Sequence, residues 1–76
     1  MNERESIKAV ISRNLRYYRR LKKLSQEKLS LACGLHHTYI GFLERLEYNP
    51  SALTLEKIAV VLEIDESQLL DRTRKD

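Results

Sequence analysis

At 76 residues the chain has room for one domain with a single small core, and its one Cys excludes a disulfide framework. One Pro, two Gly and no strand-like alternation point to an all-α class. The net charge of +3 is unevenly spread: residues 1–28 hold nine Lys or Arg against three Glu, whereas residues 29–76 hold five against eight acidic residues. No apolar run approaches the length of a membrane span and the N-terminus is too charged for a signal peptide, so a cytoplasmic protein with no membrane partner is expected.

In chain order, Ile7, Ile11, Leu15 and Tyr18 fall at helical spacing and predict a long amphipathic first helix over about 5–23. Its Arg16, Arg20, Lys22 and Lys23 either form a solvated face or attract phosphate, the sequence-independent part of DNA affinity. Ser25 is a good N-cap for a second helix over about 26–33, with Glu27 placed early to suit the helix dipole. A third helix is expected over about 37–45, and Asn49-Pro50 then marks a loop. Ser51 can cap a fourth helix whose buried stripe is Leu55, Ile58, Ala59 and Leu62. Asp65 followed by Gln68 has the form of a capping box and opens a short fifth helix ending near Asp71. The polar tail 72–76 is expected to fray, and all 76 residues are read as one domain.

The segment 26–45 carries the functional information. It reads as two short helices joined by a turn at Gly34, where the chain reverses and a residue tolerant of positive φ is favoured. Apolar residues at 29, 33, 35, 40 and 43 face one another across the turn, Cys33 filling core space. Small Ser30 and Ala32 let the second helix approach closely. This is the pattern of a helix-turn-helix, whose second helix enters the DNA major groove.

The markers Leu24-Ser25-Gln26-Glu27-Lys28-Leu29, Gly34-Leu35, Tyr39-Ile40, Glu44-Arg45, Asn49-Pro50-Ser51, Leu55 and Lys57-Ile58-Ala59 resemble the phage repressor/Cro-type helix-turn-helix family, also called the xenobiotic-response-element family, over about 7–70. The run Leu35-His36-His37-Thr38-Tyr39-Ile40-Gly41 is also similar to the controller proteins of restriction–modification systems. The resemblance implies a five-helix lambda-repressor-like domain that binds double-stranded operator DNA. It also implies a homodimer that regulates a promoter near its own gene, with RNA polymerase as a further candidate partner. No cofactor or metal is implied.

By the same resemblance Gln26 holds a backbone phosphate and braces the recognition helix, and Arg19 pairs with Glu44 in a partly buried salt bridge, Arg19 being also able to face a phosphate. Ser25, His36, His37, Thr38, Tyr39, Gly41, Phe42, Arg45 and Asn49 complete the expected DNA-binding set. Thr38 can bond a base edge or touch a thymine methyl, and His37 can reach guanine N7 or a phosphate. The controller family often has Arg at the position of His37, and His cannot make that residue's two-point fork, so a different recognised sequence is expected. Tyr39 either reaches a phosphate or packs its ring. Phe42 either meets thymine methyls or packs on the 46–49 loop. Gly41, costly in a helix interior, suits close approach to the DNA backbone. Leu46 stands where the family usually has Gly, so the loop is expected to take another shape.

Val61, Ile64, Leu69 and Leu70 exceed what a short fifth helix needs to bury and are assigned to the dimer interface, the alternative being that they close the monomer core. Two rival readings remain. Cys33, His36 and His37 lack the convergence of a zinc site, so an enzyme is not expected. An antitoxin acting through a toxin partner shares this fold, but almost the whole chain is consumed by the domain.

Overall fold

The computed structural model describes residues 5–74, and among these it contains five helices and no strand. They are α1 (Ile7–Leu21), α2 (Gln26–Ala32), α3 (Tyr39–Glu44), α4 (Ala52–Leu62) and α5 (Glu66–Leu69). Three serines start helices by the same chemistry. Ser6, Ser25 and Ser51 each sit in extended backbone, and each hydroxyl accepts a bond from an N–H three residues on that the helix would otherwise leave unpaired. The capping box of α5 is also present: Asp65 caps the helix and Gln68 Oε1 accepts from Asp65 N at 3.0 Å.

The first four helices all end in a left-handed residue, and only one of these is glycine. Lys23, Gly34, Leu46 and Glu63 have φ of 59, 73, 66 and 60°. In each case the next N–H reaches back to close the last turn, as in Leu24 N→Arg19 O at 3.2 Å and Leu35 N→Ser30 O at 2.9 Å. The expectation that Leu46 would force a different loop shape is therefore corrected. Its left-handed conformation costs on the order of 1 kcal/mol, and is offset because Leu46 N and Glu47 N satisfy the carbonyls of Leu43 and Phe42.

The core is a single cluster of Leu15, Leu29, Cys33, Ile40, Leu43, Ile58, Ala59, Leu62 and Leu69, with Tyr18, Leu24, Leu35, Tyr39, Leu55, Val61 and Ile64 packed around it. The helix-turn-helix stripe is thus buried as expected, with Leu35 at the margin. Two sequence expectations are corrected. Ile7 is 43% exposed and Val10 is buried instead, because α1 packs against both α3 and α5 and its buried face is wider than one stripe. Ala32 is exposed, so close approach between α2 and α3 falls to Ser30 alone. No described helix is long and apolar enough to cross a membrane.

The chain's end is anchored on α1. Asn14, fully buried, donates from Nδ2 to the carbonyls of Leu69 and Asp71 at 3.0 and 2.9 Å. Beyond it, Arg72 donates to the Glu5 carbonyl at 2.7 Å, and the Arg74 guanidinium lies 3.7 Å from the Tyr17 ring centroid. Residues 72–74 are therefore docked on α1 in this structure, where the sequence suggested a loose tail; residues 75 and 76 lie outside the described residues.

Candidate nucleic-acid interface

The interface is organised around one carboxylate. Glu44, the last residue of α3, is buried, and α1 reaches it through a two-point fork: Arg19 Nε donates to Oε2 at 2.7 Å and Nη2 to Oε1 at 3.1 Å. The remaining arm of Arg19 donates to the Leu24 carbonyl at 2.9 Å. With Nε, Nη1 and Nη2 each donating inside the protein, Arg19 orients α3. Gln26, the first residue of α2, donates to Glu44 Oε1 at 2.8 Å. Ser12 donates to the Glu44 carbonyl at 2.7 Å, and Arg16 Nε lies 3.6 Å from Oε1. The end of α3 is thus fixed to two other helices by charge-assisted bonds in a water-poor setting.

Its beginning is fixed by Ser30. This buried hydroxyl donates to the Gln26 carbonyl at 2.9 Å and accepts from Ile40 N at 3.0 Å, joining α2 to the first turn of α3. The arrangement needs a small side chain with a hydroxyl, which is what the sequence supplies at 30.

The expected recognition helix is shorter than 37–45. It starts at Tyr39, with Thr38 as its N-cap, so His37 and Thr38 lie on the turn feeding the helix. Thr38 makes no side-chain cap bond, because its Oγ1 lies 2.7 Å from His36 Nδ1, which also accepts from Thr38 N at 3.3 Å. The His36 and His37 rings stack at 4.5 Å between centroids, and His37 Nδ1 lies 3.6 Å from Glu27 Oε2.

Gln26, Glu27, His37, Thr38, Gly41, Phe42 and Arg45 line one open groove between α2 and α3. Five of the six polar or apolar side chains there were expected from sequence; Glu27 was read only as a dipole partner. Gly41 also has a role inside the protein. A Cβ at this position would meet Gln26 Oε1 at 3.2 Å and Arg45 Nη1 at 3.3 Å, so the glycine gives Gln26 room to reach Glu44. Phe42 lies beside Tyr48, its ring centroid 5.1 Å away, with the Arg45 guanidinium 4.8 Å above it. Tyr39 is half-buried against the core and 5.0 Å from the Tyr48 ring, which favours packing.

Other expected residues lie apart from this groove. Ser25 is exposed but spends its hydroxyl on the Lys28 N–H, and Asn49 is an exposed loop residue. His36 is exposed beside the groove. On the basic face Lys22 pairs with Glu63, whereas Arg20 and Lys23 are exposed. Cys33 is buried, and burial pushes its thiol up from the ordinary range against the pull of Lys57. Leu69 is corrected: it is fully buried inside its own chain, under α1, and cannot line a dimer face. Val61 and Ile64 are half-buried against the core, and Leu70 is 39% exposed.

Sequence reasoning missed Ser12, Arg16 and Asn14 as positioning residues. Polar residues flanking the α1 stripe were the available signal, but their partners come from α3 and the chain end.

The comparisons with known proteins agree with this geometry. The helix-turn-helix family model matches residues 15–69. The control protein C.SmaI of Serratia marcescens is 44% identical over 66 residues, spanning 87% of this chain and 79% of that protein. The crystal structure of the restriction-modification controller protein C.AhdI from Aeromonas hydrophila superposes with a TM-score of 0.77 at 35% identity, over 82% of this chain and 94% of that one. SinR, the master regulator for biofilm formation, solved in complex with DNA, has a TM-score of 0.74 at 35% identity, over 80% of this chain and 98% of that one. The residues that form the two-helix motif, the buried fork that fixes it and these likenesses lead to one conclusion: the chain belongs to the helix-turn-helix family of DNA-binding transcriptional regulators.

Proposed function

We propose that this protein is the controller of a restriction–modification system, binding operator DNA as a homodimer and regulating a promoter close to its own gene. The observation that carries the reading is the Glu44 hub, which fixes the end of α3 to α1 and α2, while His37 and Thr38 on the preceding turn share one open groove with Phe42 and Arg45. A preorganised helix lowers the ordering penalty on binding. In this reading Thr38 and His37 meet base edges, while Arg45, Arg20 and Lys23 meet phosphates. The likeness to C.SmaI and C.AhdI supports the controller type.

The dimer face is Leu70 with the exposed edges of Val61 and Ile64. Repression comes from operator occupancy, and activation at higher occupancy from contact with RNA polymerase. The test is a gel-shift series on duplexes selected from a random pool. Thr38→Ala should change the preferred sequence and cost about 1–3 kcal/mol on the wild-type operator. Arg20→Ala should weaken all duplexes alike and reduce the salt slope by about one. Equal wild-type affinity for every duplex at moderate salt would sink the reading.

A further inference from the structure

We propose that Glu27 is a positioning residue for base reading: from α2 its carboxylate turns Nδ1 of His37 inward, so that Nε2 is the atom offered to DNA. Two contacts hold the ring. Glu27 Oε2 lies 3.6 Å from Nδ1 at its edge, and His36 stacks on its face at 4.5 Å with an interplanar angle of 29°. His36 is itself tied to Thr38 at 2.7 and 3.3 Å, so the stack has a fixed base. The edge contact is a charge contact longer than a hydrogen bond, made at the surface, and together with the stack it favours the ring orientation that keeps Nδ1 toward Glu27.

The other charged group lining the groove with His37 is Arg45, on α3, and it is drawn away toward Glu47 at 3.4 Å. Glu27 is therefore the carboxylate that acts on the His37 ring. A neutral imidazole has one N–H, and a carboxylate beside Nδ1 attracts it, leaving a lone pair on Nε2. A lone pair accepts and does not donate. In the major groove the donors are the amino groups of adenine N6 and cytosine N4, whereas guanine offers only acceptors. His37 so held reads an amino group, in place of the guanine N7 that its residue type alone suggests. The inference rests on the DNA-binding reading, but one arm of its test is free of DNA.

The experiment has two arms, both at pH 8, at the upper end of the range in which histidine titrates. In the free protein, ring nitrogen chemical shifts should show His37 with its proton on Nδ1, and Glu27→Gln should lose that preference with the helical circular dichroism unchanged. On the selected operator, the base pair read by His37 is the one whose identity His37→Ala no longer constrains. Removing the amino group there, with purine for adenine or 2-pyrimidinone for cytosine, should weaken wild-type binding about fivefold, the size of one hydrogen bond. A 7-deazapurine at the same pair should leave binding unchanged.

In Glu27→Gln the amino deletion should have a smaller effect, although loss of a negative charge near DNA strengthens binding in general. In His37→Ala, adding Glu27→Gln should change selectivity no further. A wild-type proton on Nε2, a loss caused by the 7-deazapurine, or an unchanged amino dependence in Glu27→Gln overturns the proposal. If the wild type selects no sequence while the nitrogen shifts behave as stated, the DNA-binding reading fails and the Glu27 contact stands.

Discussion

At the scale of single residues, the side chain that matters most is a carboxylate buried inside the protein. Glu44 is almost out of contact with water, its side chain 4% exposed, and Arg19 supplies the compensating charge in a planar fork. Lysine keeps the charge but has no fork, and it would leave either a carboxylate oxygen or the Leu24 carbonyl unpaired. Arg19→Lys should therefore destabilise the fold by about 1–3 kcal/mol, measured as a lower urea midpoint. An unchanged midpoint would show that the fork contributes nothing beyond its charge. The pair was legible in the sequence only through the family's motif, since residues 25 apart on different helices leave no periodic trace. Ser30 was legible as a small residue and not as a hydrogen-bond bridge, because its second partner, Ile40 N, is set by how α3 docks.

Among the elements, starts were easier to read than ends. Ser25, Ser51 and Asp65 with Gln68 were assigned as caps from sequence, and the local bonds are there. Caps are local chemistry, so spacing of three residues suffices to find them. The left-handed closures at Lys23, Leu46 and Glu63 were missed because residue type does not announce them: the bonds that close them come from backbone N–H groups, which nearly every residue has.

The short α5 has a pH signature. Hydrogen bonds from Ser67 hold the Asp65 carboxyl below its ordinary 3.8, and bonds from Thr73 do the same for Asp71. The Lys22 side chain, by its hydrogen bond and charge, lowers Glu63 from 4.5. Each native carboxyl binds protons less readily than the unfolded one, so the stability it contributes is present above about pH 4.5 and disappears as pH falls through the depressed values. The urea midpoint should therefore drop between pH 5 and pH 3. Asp65→Asn, which caps but does not titrate, should show a smaller drop than wild type. Equal drops in the two proteins would remove Asp65 from the effect.

For the whole molecule, the proposed homodimer would set two recognition helices on one duplex. A single domain covers few base pairs, and binding two half-sites about one helical turn apart requires a two-fold partner. The apolar surplus expected near the C-terminus is smaller than the sequence suggested, because Leu69 closes the monomer core and Ile64 leans on it. Leu70, exposed and outside the core cluster, gives the cleaner test. Leu70→Asp should leave the thermal transition of the monomer nearly unchanged while shifting sedimentation from dimer to monomer at tens of micromolar. Operator affinity should fall with it. A wild type that sediments as a monomer and binds its palindrome equally well would remove the dimer.

The amino-acid sequence alone determined the class, the helix-turn-helix segment and most of the groove-lining residues. Each of these depends on periodicity, on capping chemistry or on a motif that stays within a short stretch of chain. The tertiary structure decided which polar groups meet across the fold. It joined Arg19 to Glu44, set the Gln26 side chain against Gly41, set His37 beside Glu27, buried Leu69 and docked Arg74 on Tyr17. These contacts join residues 10–57 apart in the chain, or depend on a neighbour's rotamer. A buried donor or acceptor must find its partner wherever packing has placed one, and that placement is a property of the assembled helices.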